Sequence, residues 1–406
     1  MVNYGIALLL LGSLPCGAEP PARFQHSHPW VMNRLRDMLA CDEAYLYNEV
    51  LGGRAIHQNS FTKPPTEPWE GNFHTQQQAR SALLKMDLYE LGKRQQPRYL
   101  DEARELLDWV LQNGYDREEG HFWLKYSTKT GQWEKAFYPE FNMITVAALL
   151  RYHHYRPTPE YADAGERVLT KILATSHFRP DQSRDLYAAG YLALKLLDLY
   201  DATGEDRYLR AARTVTASAD DLLWDEEHGG CFISRQADRS LPAHTTKFTH
   251  VNANLAQACL RLYLLGQGEH FRDRAVAALE FLAAHLRSPD GGWYRHTTRD
   301  GSDPQLPPGI GDGGTTEPGT YCVYDRMAQV MVACCLAYRA TQDSKYLRWV
   351  DETLDKMEKT HLTVYPIGVD YGYINAGDYQ NTWCHQWGLQ AMIEIARLQR
   401  DLGQRD

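Results

Sequence analysis

Several features that would indicate a membrane protein, a nucleic-acid-binding protein or a disulfide scaffold are scarce or missing in this sequence of 406 residues. Beyond residue 18 it contains no run of about 18 apolar residues, so no membrane-spanning helix is expected. Basic residues are not in excess: the net charge is −9 at pH 7, with both signs interspersed, which argues against nucleic acid as a partner. Eight cysteines are too few for a disulfide scaffold. The 43% hydrophobic content is that of a globular protein with a substantial core.

The first 18 residues lack charged side chains. They contain an apolar run at residues 6–11, followed by Cys16 and Ala18 at the small-residue positions typical of a signal-peptidase site. We therefore predict a signal peptide at residues 1–18 and a secreted or periplasmic location. Linkers rich in Gly, Ser or Pro are also missing from the remainder, so residues 19–406 are predicted to form a single domain.

A repeated pattern is the strongest indication of the fold. Residues 196–232 indicate a helix that ends near Gly204, a second helix that begins at Asp206, and a Gly-Gly turn. The helical part recurs with a mean spacing of about 62 residues, which suits one helical hairpin and a connection. The other copies lie around Tyr89, Tyr155, Tyr263 and Tyr338.

Apolar periodicity predicts twelve helices. Their predicted ranges are 29–39, 76–91, 97–113, 140–155, 159–175, 184–203, 206–222, 250–266, 268–286, 320–341, 343–359 and 382–402. Six helical hairpins close naturally into an all-α (α/α)6 toroid, in which inner helices bury both faces and outer helices bury one. Short β-hairpin turns at residues 118–123, 225–232 and 288–294 are expected at one end. An open solenoid is the alternative, but it requires polar capping repeats that are not seen.

The segments that lead into the inner helices share aromatic, imidazole, amide and carboxylate side chains. They are GNFHT at 71–75, YPEFN at 138–142, DQSRDLY at 181–187, KFTHVNAN at 247–254, TTEPGTYCVYD at 315–325 and YQNTWCHQW at 379–387. In a toroid these segments must converge at one end. Rings with a few polar groups suit the apolar faces and the hydroxyls of sugars, so a sugar-binding cavity is expected there.

The candidate residues come from these segments. The predicted catalytic residues are Asp325, His385, His250, Asp185 and Glu317. The predicted substrate-binding residues are His74, Tyr187, Asn254, Tyr321, Trp383, Trp387 and Arg326. Asp325 stands out because it lies one turn inside an apolar helix, where an unpaired carboxylate is costly. Helix capping is the alternative role of His74 and His250, and the tandem pair Asp220–Asp221 falls on an outer helix, where solvent exposure is expected.

The repeat LLDLYDATGEDRYLRAAR followed by LLWDEEHGGCF resembles that of the N-acylglucosamine 2-epimerase and six-hairpin glycosidase superfamily of (α/α)6 barrels. The resemblance covers roughly residues 76–402 and implies the fold rather than one activity. The epimerases carry catalytic histidines in a PGHxxE pattern. Here Pro318 and Gly319 match that pattern, whereas Thr320 and Val323 replace its His and Glu.

A second resemblance links YCVYDRMAQVMVACCLAYRAT and TWCHQWGLQAMIEIARL to the zinc-bearing segments of lanthionine cyclases. It implies Cys322, Cys384 and His385 as zinc ligands, with an open fourth position. A disulfide between Cys322 and Cys384 is the alternative. We predict no cofactor and no metal, and keep this zinc site as the exception to test.

Together these patterns predict a carbohydrate-active enzyme, a glycoside hydrolase or polysaccharide lyase, that uses general acid/base catalysis on an oligosaccharide or sugar in the barrel cavity. A hydrolase needs two groups that straddle the glycosidic bond. A lyase would use His or Tyr as base, with Arg184 or Arg326 neutralising the substrate's carboxylate. A sugar 2-epimerase, with two imidazoles drawn from His74, His250 and His385, and a non-catalytic sugar-binding protein are the alternatives.

Overall fold

The computed structural model describes residues 23–41, 47–56, 72–175, 178, 184–235, 238, 240, 245–302, 324–360, 362–364, 370–375, 379–380 and 382–404. Twelve α-helices lie within these ranges, and each corresponds to one predicted from periodicity. They are α1 (His28–Cys41), α2 (Thr75–Leu91), α3 (Arg98–Asn113), α4 (Pro139–Tyr155), α5 (Pro159–Leu173), α6 (Leu186–Thr203), α7 (Asp206–Leu223), α8 (Thr249–Leu264), α9 (Glu269–His285), α10 (Tyr324–Thr341), α11 (Lys345–Thr360) and α12 (Thr382–Asp401).

The even-numbered helices form a closed inner ring. Each of α2, α4, α6, α8 and α10 packs against the next, and α12 packs against α2. Each odd-numbered helix from α3 to α11 packs on the inner helix that precedes it, whereas α1 packs on α12. The sixth hairpin therefore combines the first and last helices of the described chain. The predicted all-α (α/α)6 toroid is confirmed, and its closure rules out the open solenoid.

Burial explains why the two layers differ in sequence. Outer helix α7 buries one stripe at spacings of three or four residues, including Tyr208, Ala212 and Val215. Inner helix α10 is buried at every position from Tyr324 to Tyr338. The repeat tyrosines come near the ends of the inner helices. After α6, Gly204 takes a positive φ of 72° and its N–H donates to the carbonyl of Tyr200 at 2.7 Å, which ends the helix.

Short antiparallel strands gather where the inner helices begin. The pairs are β1 (Tyr47–Val50) with β2 (Gly53–Ile56), β3 (Asn72–His74) with β6 (Lys125–Ser127), β6 with β7 (Gln132–Glu134), β4 (Tyr115–Asp116) with β5 (His121–Phe122), β8 (Arg184–Asp185) with β9 (Ser234–Arg235), β10 (Lys247–Phe248) with β11 (His296–Thr297), β12 (Leu362–Val364) with β13 (Asp370–Asn375), and β13 with β14 (Tyr379–Gln380). Strands β3, β8 and β10 run directly into α2, α6 and α8. We call this side of the barrel the strand end.

The three predicted β-turns lie at the strand end, where outer helices finish. The first is the β4–β5 pair, and the others are closed by bridges between Trp224 and Cys231 and between Arg287 and Trp293. Two asparagines fix the first two of these turns to the inner helices that follow. Asn142 accepts from the N–H of Phe122 at 2.7 Å, and Asn252 accepts from the N–H of Cys231 at 2.7 Å. Each amide also donates back to the same residue's carbonyl, so these two turns are bonded to α4 and α8 by paired hydrogen bonds.

Ion pairs tie the inner helices together at the opposite end, in what we call the ion-pair floor. Its residues are Asp87, Glu90, Arg151, Lys195, Asp198, Asp201, Arg261, Arg339, Glu394 and Arg397. Arg151 of α4 donates to Asp87 of α2 at 2.8 Å, and Arg261 of α8 donates to Asp198 of α6 at 2.7 Å. Burial alone would raise the pKa of Asp87, but Arg151 and Arg397 hold it below its usual value.

None of the helices in the described part of the chain combines the length and the apolar composition that a membrane span requires. Residues 1–18 lie outside the described ranges, so the signal peptide stays a prediction. The buried thiols of Cys231, Cys259, Cys334 and Cys335 are free, and the last three were expected in the core.

Candidate functional site

Side chains from five inner helices meet on the barrel axis near the strand end. We call them the axial cluster: Arg80, Tyr187, Tyr191, His250, Asp325, Arg326 and Trp387. All lie within the first two turns of their helices. The helical repeat puts residues three or four positions apart on one face, so Tyr187 and Tyr191 both point inward from α6. Each of these residues therefore occupies an early position of its inner helix, and the repeat brings those positions together at one end of the barrel.

Ring contacts hold the cluster together. The guanidinium carbon of Arg80 lies 3.7 Å from the centroid of the Trp387 ring. The centroids of Trp387 and Tyr191 are 6.1 Å apart, and those of Tyr191 and Tyr187 are 4.8 Å apart. His250 joins from α8, with its ring 5.8 Å from that of Tyr187. The contacts run from α2 through α12 and α6 to α8 across the axis.

Asp325 supplies the carboxylate of the cluster. Its Oδ2 accepts a hydrogen bond from Nη1 of Arg326 at 2.7 Å, and its side chain is almost fully buried. Its charge also acts on Arg80 and on Tyr191. Burial lowers the pKa of Arg80 to about 10, with partial compensation from Tyr191, Tyr187 and Asp325. Burial raises the pKa of Tyr191 to about 12, so Tyr191 is a neutral hydrogen-bonding group at neutral pH.

Several buried polar atoms here have hydrogen-bonding capacity that the described residues leave unused. They include Oδ1 of Asp325, both amide atoms of Asn254 and Oε1 of Gln329. Asn254 is one turn beyond His250 on α8, and Gln329 is one turn beyond Asp325 on α10, so each shares a face with a member of the axial cluster. Buried polar groups in proteins are nearly always satisfied. A ligand with many hydroxyl groups would satisfy these atoms.

The structure thus brings together five of the residues predicted from the sequence: Asp325, Arg326, His250, Tyr187 and Trp387. Asn254 lies on the same face of α8 as His250. These residues come from four helices, and the prediction that distant segments converge at one end of a toroid accounts for their meeting.

His385 lies on a different side of its helix. Its Nε2 donates to the backbone carbonyl of Met38 in α1 at 3.1 Å. Residues two apart on a helix point about 200° apart, so His385 faces the outer helix α1 while Trp387 faces the axis. In this structure the His385 imidazole links the two helices of the terminal hairpin.

His74 ends β3 at the strand end. Its Nδ1 is 3.1 Å from Nε2 of Gln76, and the ring has no cap hydrogen bond to α2. Burial, and after it the charge of Lys125, lower the pKa of His74 to about 3. The imidazole is therefore neutral at physiological pH.

The remaining predicted residues fall outside what is described. Glu317, Tyr321 and Cys322 lie outside the described ranges. For Asp185 in β8, and for Trp383 and Cys384 in α12, the backbone is described and the side chains are not. The described residues contain no group of three His, Cys, Asp or Glu side chains that could hold a metal ion; the zinc alternative includes Cys322 and Cys384 and so is not tested by that search.

Sequence reasoning missed Arg80 and Tyr191. Arg80 follows the run of glutamines at 76–78, and all of these polar residues are buried. The argument applied to Asp325, that a charge inside a buried inner helix needs a partner or a role, applies equally to Arg80. The amphipathic pattern of α2 is weak, which hid the fact that its polar residues face inward.

Comparisons with known proteins place this fold in a class. The cellobiose 2-epimerase of Bacillus thermoamylovorans superposes with a TM-score of 0.70 at 11% identity, covering 91% of this chain and 99% of that one. The α-mannanase of glycosyl hydrolase family 76 from Bacteroides thetaiotaomicron gives a TM-score of 0.62 at 11% identity, covering 92% and 97%. An α-1,6-mannanase of the same family from Salegentibacter gives 0.60 at 14% identity, covering 91% and 99%. The chain has the (α/α)6 fold of the six-hairpin glycosidase superfamily.

The sequence itself gives the family. The sequence model described as glycosyl hydrolase family 76 matches residues 144–365, more than half of the chain. The chain therefore belongs to glycosyl hydrolase family 76. No protein of curated function matches it.

Proposed function

We propose that this protein is a glycoside hydrolase that binds an α-linked mannose oligosaccharide at the strand end and cleaves it by general acid/base catalysis. Family membership supports a hydrolase. The observation that carries the proposal is the environment of the Asp325 carboxylate. One of its carboxylate oxygens is held by Arg326, and the other has no partner among the described residues. It lies beside aromatic rings of the kind that line sugar sites.

Hydrolysis of a glycoside needs a second group. One group protonates the leaving oxygen while the other acts as base or nucleophile. Asp185 is our candidate for the second role, since β8 places its backbone two residues before Tyr187, whose ring belongs to the axial cluster. His250 and Glu317 are the other candidates retained from the sequence. Arg326 would hold Asp325 in place, and Arg80 and Trp387 would bind the sugar.

The Salegentibacter relative suggests a different pair of catalytic residues, two consecutive aspartates. That α-1,6-mannanase was made inactive by two consecutive Asp-to-Asn substitutions and was solved with α-1,6-mannotriose. The one consecutive Asp pair in this sequence is Asp220–Asp221, on outer helix α7. Asp220 forms an ion pair with Arg274 of α9 at 2.6 Å, and Asp221 is exposed. We therefore propose that the acid and base here are not adjacent in sequence.

Epimerisation is the second candidate, because epimerases share the fold. That reaction would need two imidazoles on opposite faces of one sugar ring. His250 belongs to the axial cluster, but His385 is bonded to α1 and His74 lies in β3 beside Lys125. Two facing imidazoles would require His385 or His74 to move toward His250. Hydrolysis requires no such movement, so we favour it over epimerisation.

We also propose export, through the signal peptide predicted at residues 1–18. The substrate is then an extracellular glycan. Neither a metal ion nor a cofactor is part of the proposed mechanism.

Incubation with α-1,6-mannotriose and α-1,6-mannan tests the proposal directly. A hydrolase releases reducing ends from these neutral sugars, and an epimerase leaves their mass unchanged. A lyase needs a carboxylate on its substrate, so a parallel incubation with an acidic polymer, followed by the ultraviolet absorbance of an unsaturated product, tests that alternative. Asp325→Asn and Asp185→Asn should each lower kcat by about 10²-fold or more. Asp221→Asn is the matched control and should keep full activity. Undiminished activity in Asp325→Asn would remove this site assignment.

A further inference from the structure

Three charged side chains at the strand end meet outside the axial cluster. We call them the charged triad: Asp225 in the second β-turn, Lys247 in β10 and Arg299 two residues after β11. Nζ of Lys247 lies 3.0 Å from Oδ2 of Asp225. Arg299 donates to both carboxylate oxygens of Asp225, from Nε at 2.9 Å and from Nη2 at 3.0 Å. One carboxylate thus binds two cations that come from two other segments of the chain.

The triad is unusual because two of its members are buried. The ammonium group of Lys247 is fully buried, where it donates to the carbonyl of Gly229 and lies 4.8 Å from the ring centroid of Phe281. Burial lowers the pKa of Lys247, although Asp225 opposes that shift. Burial would raise the pKa of Asp225, but Arg299 and Lys247 outweigh it and lower that pKa to about 2. A buried ion pair seldom stabilises a fold more than apolar residues of similar volume do, so the triad needs an explanation besides stability.

The first β-turn shows that the turn itself does not require the triad. Asp116 begins that turn as Asp225 begins the second. In each turn the glycine four residues later, Gly120 or Gly229, donates its N–H to the carbonyl of the aspartate at 2.8 Å. The carboxylate of Asp116, however, accepts from the neutral indole N–H of Trp123 at 3.0 Å. The same backbone turn therefore forms with a neutral donor in place of the two cations.

What the triad adds is a connection between three segments around the start of α8. Lys247 bonds β10 to the second turn, Arg299 bonds the end of β11 to the same turn, and β10 pairs with β11. Strand β10 runs directly into α8, whose second residue is His250. The first residue, Thr249, donates its N–H to the carbonyl of Arg295 beside β11 at 3.0 Å. The position of the first turn of α8 therefore depends on the second β-turn and on β11 together.

We infer that the charged triad positions His250, by holding the start of α8 where this imidazole reaches the axial cluster. The inference rests on the proposed function for the view that the axial cluster cleaves a sugar. The ring of His250 lies 5.8 Å from that of Tyr187 in the axial cluster and 5.8 Å from that of Phe248 in β10, so a displacement of β10 reaches the imidazole. Misplacement of a site group by about 1 Å can cost about 10²-fold in rate.

The placement of His250 can be measured without relying on activity, by nuclear magnetic resonance of protein labelled with ¹³C at the histidine Cε1 atoms. The signal of His250 is the one missing from His250→Gln. Lys247→Met and Arg299→Met should each shift this signal. Lys356→Met is the matched control, because Lys356 of α11 pairs with Asp290 in the third β-turn, and it should leave the His250 signal in place.

Arg299→Met keeps the test decisive even if Lys247→Met does not fold. Arg299 is partly exposed, and Asp225 retains its pair with Lys247 when Arg299 is replaced. Circular dichroism identifies the variants that keep the native helix content. An unchanged His250 signal in every folded triad variant would overturn the inference, as would an equal shift of that signal in Lys356→Met.

Kinetics then separate positioning from stability. Lys247→Met should lower kcat on α-1,6-mannan at least about tenfold with KM nearly unchanged. The double variant Asp225→Leu/Lys247→Met removes both buried charges and should regain much of the stability that Lys247→Met loses. Its kcat should stay low and its His250 signal should stay shifted. Recovery of kcat together with stability would show that the triad only stabilises the fold.

Failure of the proposed function is scored separately. If the unmutated protein releases no reducing ends from α-1,6-mannan, the proposed function is wrong, and the His250 signal still decides whether the triad positions that residue. If it releases reducing ends and kcat is unchanged in Lys247→Met and Arg299→Met, the proposed function stands and the inference is overturned.

Discussion

The guanidinium carbon of Arg80 lies 3.7 Å above the ring of Trp387, and this contact joins the first inner helix to the last. Beside it, Nε2 of Gln386 donates to the carbonyl of Gln77 at 2.9 Å and to Oγ of Ser81 at 2.6 Å. These bonds close the ring of inner helices at the height of the axial cluster. Closure of the fold and assembly of the site thus depend on the same two helices.

Replacing Arg80 by methionine separates its contribution to the site from its contribution to stability. The substitution removes the stack on Trp387, which is worth up to about 2 kcal/mol, and also removes a buried charge, which offsets part of the loss. We expect the free energy of unfolding to change by less than about 2 kcal/mol, and kcat/KM to fall at least about tenfold because Asp325 and Trp387 lose a neighbour. Urea denaturation and reducing-end kinetics measure the two effects.

Arg98→Met is the control for Arg80→Met, since Arg98 also lies over an aromatic ring, that of Tyr99, but on outer helix α3. It should leave kcat/KM unchanged. If Arg80→Met retains the wild-type kcat/KM, Arg80 has no role in the site.

The ion-pair floor should be as important for stability as the axial cluster is for binding. In Arg151→Met, Asp87 and Glu90 of α2 lose a guanidinium that donates to both. Removal of one partner from a buried pair costs about 3–5 kcal/mol. Arg156→Met, at the exposed pair with Asp101, should cost less than about 1 kcal/mol. Similar losses in the two variants, measured by denaturant unfolding, would show that the floor is not a buried network.

Most of the fold followed from the sequence because the repeat sets helix number and order. Periodicity placed α7 within a residue of its observed bounds, and the repeat tyrosines marked the ends of inner helices. The ion-pair floor could not be foreseen in this way. Asp87 and Arg151 are ordinary charges in helical segments, and only the packing of α4 against α2 brings them together and buries them.

The site was predicted less completely than the fold. Convergence of the segments before the inner helices was enough to select Asp325, His250, Tyr187 and Trp387. It could not decide which way a side chain points from a given helix. His385 shows the consequence, because it faces α1, whereas Trp387, two residues further along α12, faces the axis. Rotation of a helix about its axis depends on both of its neighbours, which a single sequence does not specify.

His74 should make stability depend on pH. Its pKa falls from an ordinary value of 6.5 to about 3 in the folded protein, because of burial and then Lys125. The unfolded chain therefore binds a proton at His74 below pH 6.5 while the folded chain does not, and stability is lost as pH falls from 6.5 toward 3. Between pH 7.5 and 4.5, His74→Gln should lose about 2–3 kcal/mol less stability than the wild type.

Urea unfolding of both proteins at the two pH values measures this difference, and any constant cost of the substitution cancels in it. His154→Gln is the control, because His154 is exposed on α4. It should show the wild-type dependence on pH. If His74→Gln does the same, the imidazole of His74 is not kept neutral by the fold.

Gly388 should be indispensable to the contact between α12 and α10. Alanine is normally the better helix former, by about 1 kcal/mol. Here a Cβ at position 388 would overlap the hydroxyl and ring of Tyr324, the residue before Asp325. Overpacking of a buried site costs about 1–3 kcal/mol, so Gly388→Ala should be destabilising overall and should also lower kcat by displacing the start of α10. A double-mutant cycle with Tyr324→Phe tests the cause, because removal of the hydroxyl should recover part of the stability. Additive losses in that cycle would mean that Gly388 is required for a reason other than the close approach of Tyr324.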